Sequence, residues 1–136
     1  MLPRPIITVI CTLIWPMIAF AQTAPSSSEV ARFQSLHLAA HQGDLSEIAR
    51  LIAQGDDLEA RDSSRRTPVH VAAFASHEGV IALLAAAGAD MNALDGQAYD
   101  AVTIAAVADD TDMLLAALKA GNRADLITSP YIGTAL

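Results

Sequence analysis

The chain of 136 residues contains one cysteine, Cys11, and one tryptophan, Trp15. Aromatic residues make up 4% of it, and Lys119 is its single lysine. One cysteine, set in an apolar N-terminal run, cannot close an internal disulfide, so packing alone must hold the fold. With so few rings, the core has to be built from Ala, Leu, Ile and Val. Small aliphatic side chains suit close-packed helices better than a large β-sandwich. A formal charge of −7 argues against a nucleic-acid backbone or an anionic membrane surface as partner. Catalytic signatures are missing as well: there is no G-x-S-x-G, no phosphate-binding glycine loop and no HExxH. Asp109-Asp110-Thr111-Asp112 lacks the spacing and the glycine of an EF-hand and reads as a solvated turn with capping carboxylates. Asp56-Asp57 and Glu59 read the same way. His37 and His41 stand at i, i+4 and could share one helix face, but no cysteine and no obvious third ligand accompany them. The residues argue against an enzyme, and neither a metal nor a cofactor is expected. A metal-dependent module remains the weaker alternative.

The N-terminal stretch MLPRPIITVICTLIWPMIAFAQTA is laid out as a secretory signal. Arg4 supplies the charged start, Ile6 to Phe20 the apolar run, and Ala19-Phe20-Ala21 the small residues before a cut after Ala21. An uncleaved anchor is the rival, but the run is short for a span and Pro16 interrupts it. Cys11 sits mid-run after Ile10, which does not fit a lipoprotein signal. Cleavage removes the only Cys and Trp and sends the chain to the periplasm or out of the cell. Residues 22–28, QTAPSSS, then read as a mobile polar linker.

The remainder repeats itself. Gly55, Gly88 and Gly121 stand 33 residues apart, and so do Ala39-Ala40, Ala72-Ala73 and Ala105-Ala106. Leu36, Val69 and Val102 keep the same step, as do Leu38, Val71 and Ile104, and also Ile48, Ile81 and Leu114. In Thr67-Pro68-Val69-His70-Val71-Ala72-Ala73 the threonine can cap a helix and the proline fits its first turn. The paired alanines allow a second helix to approach closely. That helix carries Ile48/Leu51/Ile52, Ile81/Leu84/Ala85 or Leu114/Ala117/Leu118 on one face, and the periodic glycine ends it in the left-handed conformation. Each unit is therefore helix, turn, helix and polar loop, and such units must stack to bury their apolar faces.

The period of 33, with TPVHVAA and the later GADMNALD, resembles the ankyrin repeat. The resemblance spans roughly Ser35 to Leu136 and implies an all-α solenoid of about three stacked repeats with hairpin-like loops. It divides the chain into a signal peptide at 1–21, a linker at 22–28 and a repeat domain at 29–136. The repeats fall at about 34–66, 67–99 and 100–133. More narrowly, YDAVTIAAVADD and TSPYIGTAL look like a group of exported bacterial ankyrin-repeat proteins. That likeness implies a role in oxidative-stress defence through a catalase. It also implies that His37 and His70, which share a column, bond structurally to neighbouring backbone. Departures from the pattern are specific. Gln34-Ser35 replaces Thr-Pro in repeat one, where a capping box at Ser26-Ser27-Ser28-Glu29 is expected to start and lengthen the first helix. Repeat three has Asp100-Ala101 for Thr-Pro, with Asp100 still a good cap, and Thr103 for His. Arg65 and Ala98 replace the usual loop glycine, so those hairpin tips are expected to be less regular.

Thr134-Ala135-Leu136 reads as the start of a fourth repeat, which suggests a truncated or frameshifted product. Stacked repeats are typically protein-binding scaffolds, so another protein is the expected partner; the alternative is a non-functional remnant of a longer ankyrin-repeat protein. Binding is expected on the concave side, formed by loop tips and the free face of the first helix of each pair. The candidates are Ser64, Arg65, Arg66, Gln97 and Tyr99 at the tips, with His41, Phe74 and Val107 on the helices. Arginine and tyrosine are frequent interface anchors, and a partner should be mixed or acidic where it meets the two arginines.

If the N-terminal reading holds, intact-mass measurement of the exported protein will show a chain that begins at Gln22 and lacks Cys11 and Trp15. The full mass retained in the membrane fraction would identify an anchor instead.

Overall fold

Local sequence signals account for where each helix begins. Asp44, Asp100 and Asp110 each use a carboxylate oxygen to accept a backbone N–H three residues on, from Glu47, Thr103 and Met113 respectively. These bonds satisfy donors that the first turn of a helix leaves unpaired. Thr67 precedes Pro68, whose missing N–H is no loss in the first turn. The computed structural model of the chain describes residues 22–126 and 128. Seven helices and no strand are present among them: α1 (Ser27–Val30), α2 (Ser35–Gln42), α3 (Leu45–Gln54), α4 (Pro68–Phe74), α5 (Glu78–Ala86), α6 (Ala101–Val107) and α7 (Thr111–Lys119). The signal segment and Thr134-Ala135-Leu136 lie outside the described residues.

The helices form two layers. Inner helices α2, α4 and α6 pack in succession, as do outer helices α3, α5 and α7, and each inner helix packs on its outer partner. The alanine pairs make the inner layer close: Ala39, Ala40, Ala72, Ala73 and Ala105 are buried. The outer layer contributes Ile48, Leu51, Val80, Ile81, Leu84, Met113 and Ala117 to the same continuous core. Leu51, Ala72 and Leu84 are thus wholly engaged in packing. Gly55, Gly88 and Gly121 follow the outer helices with φ of +83°, +96° and +102°, the left-handed ending expected of them.

The N-terminal region differs from the sequence expectation in two ways. The capping box is present: Glu29 N–H donates to Ser26 Oγ, and Ser26 N–H donates back to the Glu29 carboxylate. It starts a separate four-residue helix, however, and does not lengthen the first inner one. Gln34 makes no side-chain cap bond and Ser35 has φ +47°, so α2 begins afresh after a break. Ser27 and Ser28, assigned above to the linker, are the first helical residues of α1.

The two hairpin tips are more regular than expected. Asp62 Oδ1 accepts N–H bonds from Ser64 and Arg66, and Asp95 Oδ1 accepts them from Gln97 and Tyr99. The backbone repeats the match, with Arg65 N–H donating to Asp62 O and Ala98 N–H to Asp95 O. Arg65 and Ala98 occupy the left-handed region at φ +59° and +62°. One aspartate per tip therefore imposes the turn that glycine would otherwise favour, against the Cβ strain of a non-glycine residue. Between tips the fit is tight. Gly96 N–H donates to Ser64 O at 2.9 Å, and a Cβ on Gly96 would stand 2.7 Å from that same oxygen.

Ala98→Gly should therefore stabilise the fold by about 1 kcal/mol by relieving left-handed strain, whereas Gly96→Ala should destabilise it. Urea unfolding of the two variants beside the parent measures both signs; a loss on Ala98→Gly would show that the tip carries no strain.

Candidate functional site

The tips rest on buried imidazoles. His70 Nδ1 accepts the Thr67 backbone N–H at 3.0 Å, and Nε2 lies 3.0 Å from Tyr99 O. A neutral ring with its proton on Nε2 satisfies both contacts, linking the start of one inner helix to the loop that leads into the next. His37 makes the equivalent reach, Nε2 to Arg66 O at 2.9 Å. These are the structural backbone bonds that the column of histidines implied. In repeat three the hydroxyl of Thr103 takes over, donating to Thr128 Oγ1 at 2.7 Å. No group of three His, Cys, Asp or Glu side chains able to hold a metal is gathered among the described residues. His37 and His41 instead flank the Phe33 ring.

The eight expected binding residues are placed unequally. Arg65 is exposed, and its guanidinium makes no ion pair among the described residues. Val107 is 60% exposed at the end of α6. Ser64, Gln97, His41 and Phe74 are half-buried. Arg66 and Tyr99, expected to be free at the tips, are only 3% and 6% exposed. The reason is geometric: each stands immediately before the N-cap of an inner helix, where its carbonyl receives an imidazole and its N–H returns to the tip aspartate. Both therefore belong to the wall of the repeat.

Arg66 organises one corner of this surface. Its Nη1 donates to Glu29 Oε1 at 3.0 Å and to Asp62 Oδ2 at 3.2 Å, and its Nη2 donates to Thr23 O at 3.0 Å. The guanidinium carbon lies 5.6 Å from the centre of the Phe74 ring, a cation–π geometry that covers much of that apolar side chain. Glu29 also accepts from Ser64 Oγ at 2.6 Å. That hydroxyl, then the Ser26 backbone and hydroxyl, and lastly the charge of Arg66, hold the Glu29 carboxyl at about 2. Thr23 N–H donates to Gln97 Oε1 at 3.1 Å. Ser64, Arg65, Arg66 and Gln97 share one cavity of about 420 Å³ with Thr23 and Glu29. His41 and Val107 are not part of it. Thr23, Glu29 and the tip aspartates were missed as site residues. The 33-residue step from Asp62 to Asp95 was the available signal for the aspartates; for Thr23 the sequence held none.

Paired helices stacked at a fixed step, with loop tips aligned along one side, define a helical-repeat solenoid. A family model for ankyrin repeats (3 copies) matches residues 36–128. The chain belongs to the ankyrin-repeat family, whose repeats generally mediate protein–protein interaction and whose members are typically non-enzymatic scaffolds. A comparison with curated proteins returns no match. No helix among the described residues is long and apolar enough to cross a membrane.

Burial pushes the His70 imidazole below its ordinary value, opposed by the nearby Asp95 charge and the Tyr99 carbonyl. The unfolded chain therefore binds the extra proton first. The stability contributed by neutral His70 is present above the ordinary imidazole range and is lost as pH falls below it. Urea titrations from pH 7.5 to 5.5 should show a falling midpoint with a smaller pH slope in His70→Gln. His70→Ala at pH 7.5 should lose at least about 2 kcal/mol, since two buried backbone groups are left unpaired.

Proposed function

We propose that this chain is a protein-binding scaffold, exported to the periplasm or secreted, that recognises its partner along the tip side of the stack. The observation that carries the reading is the exposed Arg65 guanidinium, without an ion pair among the described residues, on a left-handed backbone at a hairpin tip. A cation on an ordered backbone offers a ready contact for a carboxylate, and Val107 adds an exposed apolar contact on α6. Export rests on the layout of residues 1–21. The likeness to exported bacterial ankyrin-repeat proteins supports a contribution to oxidative-stress defence.

Arg65→Ala/Val107→Ala should melt within a few degrees of the parent, because neither side chain is buried. Capture experiments with immobilised parent and variant, using an extract of the exported fraction, should then show roughly tenfold lower recovery of the specific partner by the variant. Equal recovery would remove the tip side as the binding surface. Retention of the protein in the cytoplasmic fraction would overturn the export reading.

A further inference from the structure

The segment that precedes α1 already occupies the groove over the tips as an extended peptide would. Thr23 engages the first tip through its carbonyl and the second through its N–H, by way of Arg66 and Gln97. These main-chain contacts do not depend on the identity of the side chain, and they bridge adjacent tips. Further along, Glu29 places one carboxylate oxygen against both Ser64 Oγ and Arg66 Nη1. The recognition elements are thus an extended backbone plus one carboxylate.

Two further observations show that the groove is not filled. Arg66 is nearly fully buried and lines the cavity, yet its Nε has no hydrogen-bond partner among the described residues. A buried, unpaired guanidinium N–H is costly unless something accepts from it. Beside it, Arg65 has no ion-pair partner among the described residues. The surface therefore has donors to spare for a second carboxylate, in a protein whose overall charge is −7. The segment buries little apolar surface, because none of residues 22–29 is buried. A segment held mainly by polar contacts belongs to the less stable part of a fold.

We propose that residues 22–29 are a displaceable strap over the hairpin tips, and that the partner element recognised there is an extended peptide segment bearing a carboxylate, which enters as the strap leaves. The proposal rests on the scaffold reading above and names the chemistry of its partner. The strap lowers the apparent affinity for any such segment by the fraction of molecules in which the groove is open.

Glu29→Gln tests this directly, since glutamine keeps the capping box of α1 while removing the charge that holds the strap. The probe is a synthetic peptide of residues 22–30, QTAPSSSEV, with a glutamine-for-glutamate control peptide, titrated into the parent chain and the variant. The peptide should bind Glu29→Gln about tenfold more tightly than the parent, and the control peptide should bind neither. Hydrogen exchange at the Thr23 amide should quicken in the variant while the Val71 and Ile104 amides stay protected. Ser64→Ala introduced into Glu29→Gln should weaken peptide binding without changing the melt. Equal affinity for parent and variant, binding to neither, or indifference to the carboxylate would each overturn the strap. Partner capture that still depends on Arg65 and Val107 would then leave the scaffold reading standing, which separates the two failures.

Discussion

A buried imidazole that accepts from the backbone ahead of one inner helix and donates to the backbone ahead of the next sets the spacing on which the tips depend. His70 joins Thr67 N–H to Tyr99 O. The loop that leads to α6 is thereby pinned at Tyr99, and Asp95 folds what precedes it into a turn. Repeat one shows what happens when half of this unit is lost. Gln34 stands where Thr67 stands and makes no side-chain cap bond, so His37 keeps only its reach to Arg66 O. In repeat three the reach is made by the shorter Thr103, which stops at another side chain, Thr128. Hydroxyl-to-hydroxyl contact is less directional than imidazole to carbonyl, because both groups rotate. On this basis repeat two is the best-determined part of the stack, with both sides of the imidazole engaged and a neighbour on each face.

The sequence revealed this framework because stacking imposes one packing environment per column. Columns at a step of 33 indicate which face of each helix is buried; the structure buries Leu36, Val69, Val71, Val102, Ile104, Ile48 and Ile81, leaves Leu114 half-buried and leaves Leu38 exposed. Caps were legible for the same reason: an aspartate or threonine before an apolar run has a defined local task. Apart from the tip aspartates Asp62 and Asp95, loop residues show no such periodic signal. Arg66 reads as a surface arginine until its carbonyl is known to receive His37 and its guanidinium to receive Glu29 from a segment 37 residues away. Tyr99 was misplaced for a related cause, since the residue that ends a tip is also the one that begins the wall of the next helix. The break between α1 and α2 depends on Phe33 turning into the core, a tertiary preference that outweighed the local capping signal.

The tips combine two properties that usually oppose each other. Their backbones are strongly specified, with four hydrogen bonds to one aspartate side chain and its neighbours in each turn. Their residues are nevertheless poorly suited to the conformation, because Arg65 and Ala98 sit where glycine would relax. Strain retained against a well-determined frame is consistent with the proposed use of the Arg65 side chain outside the fold. Ala98 projects only a methyl group and offers no such contact.

Arg65 gains from this arrangement something that a flexible loop could not supply. A long cationic side chain on a mobile backbone loses main-chain and rotamer freedom on binding, at a cost that offsets much of its contact energy. Here the main chain is ordered before any partner arrives, by Asp62 below and by Arg61, whose Nη1 donates to Arg65 O at 2.7 Å and to Leu94 O at 2.6 Å. Only the side-chain rotamers remain to be fixed. The same two bonds tie the first tip to the second, so a contact made at Arg65 bears on a connected row of tips. An acidic segment lying along that row would meet a preformed surface, and the geometry of the row would follow from the repeat step that the core enforces.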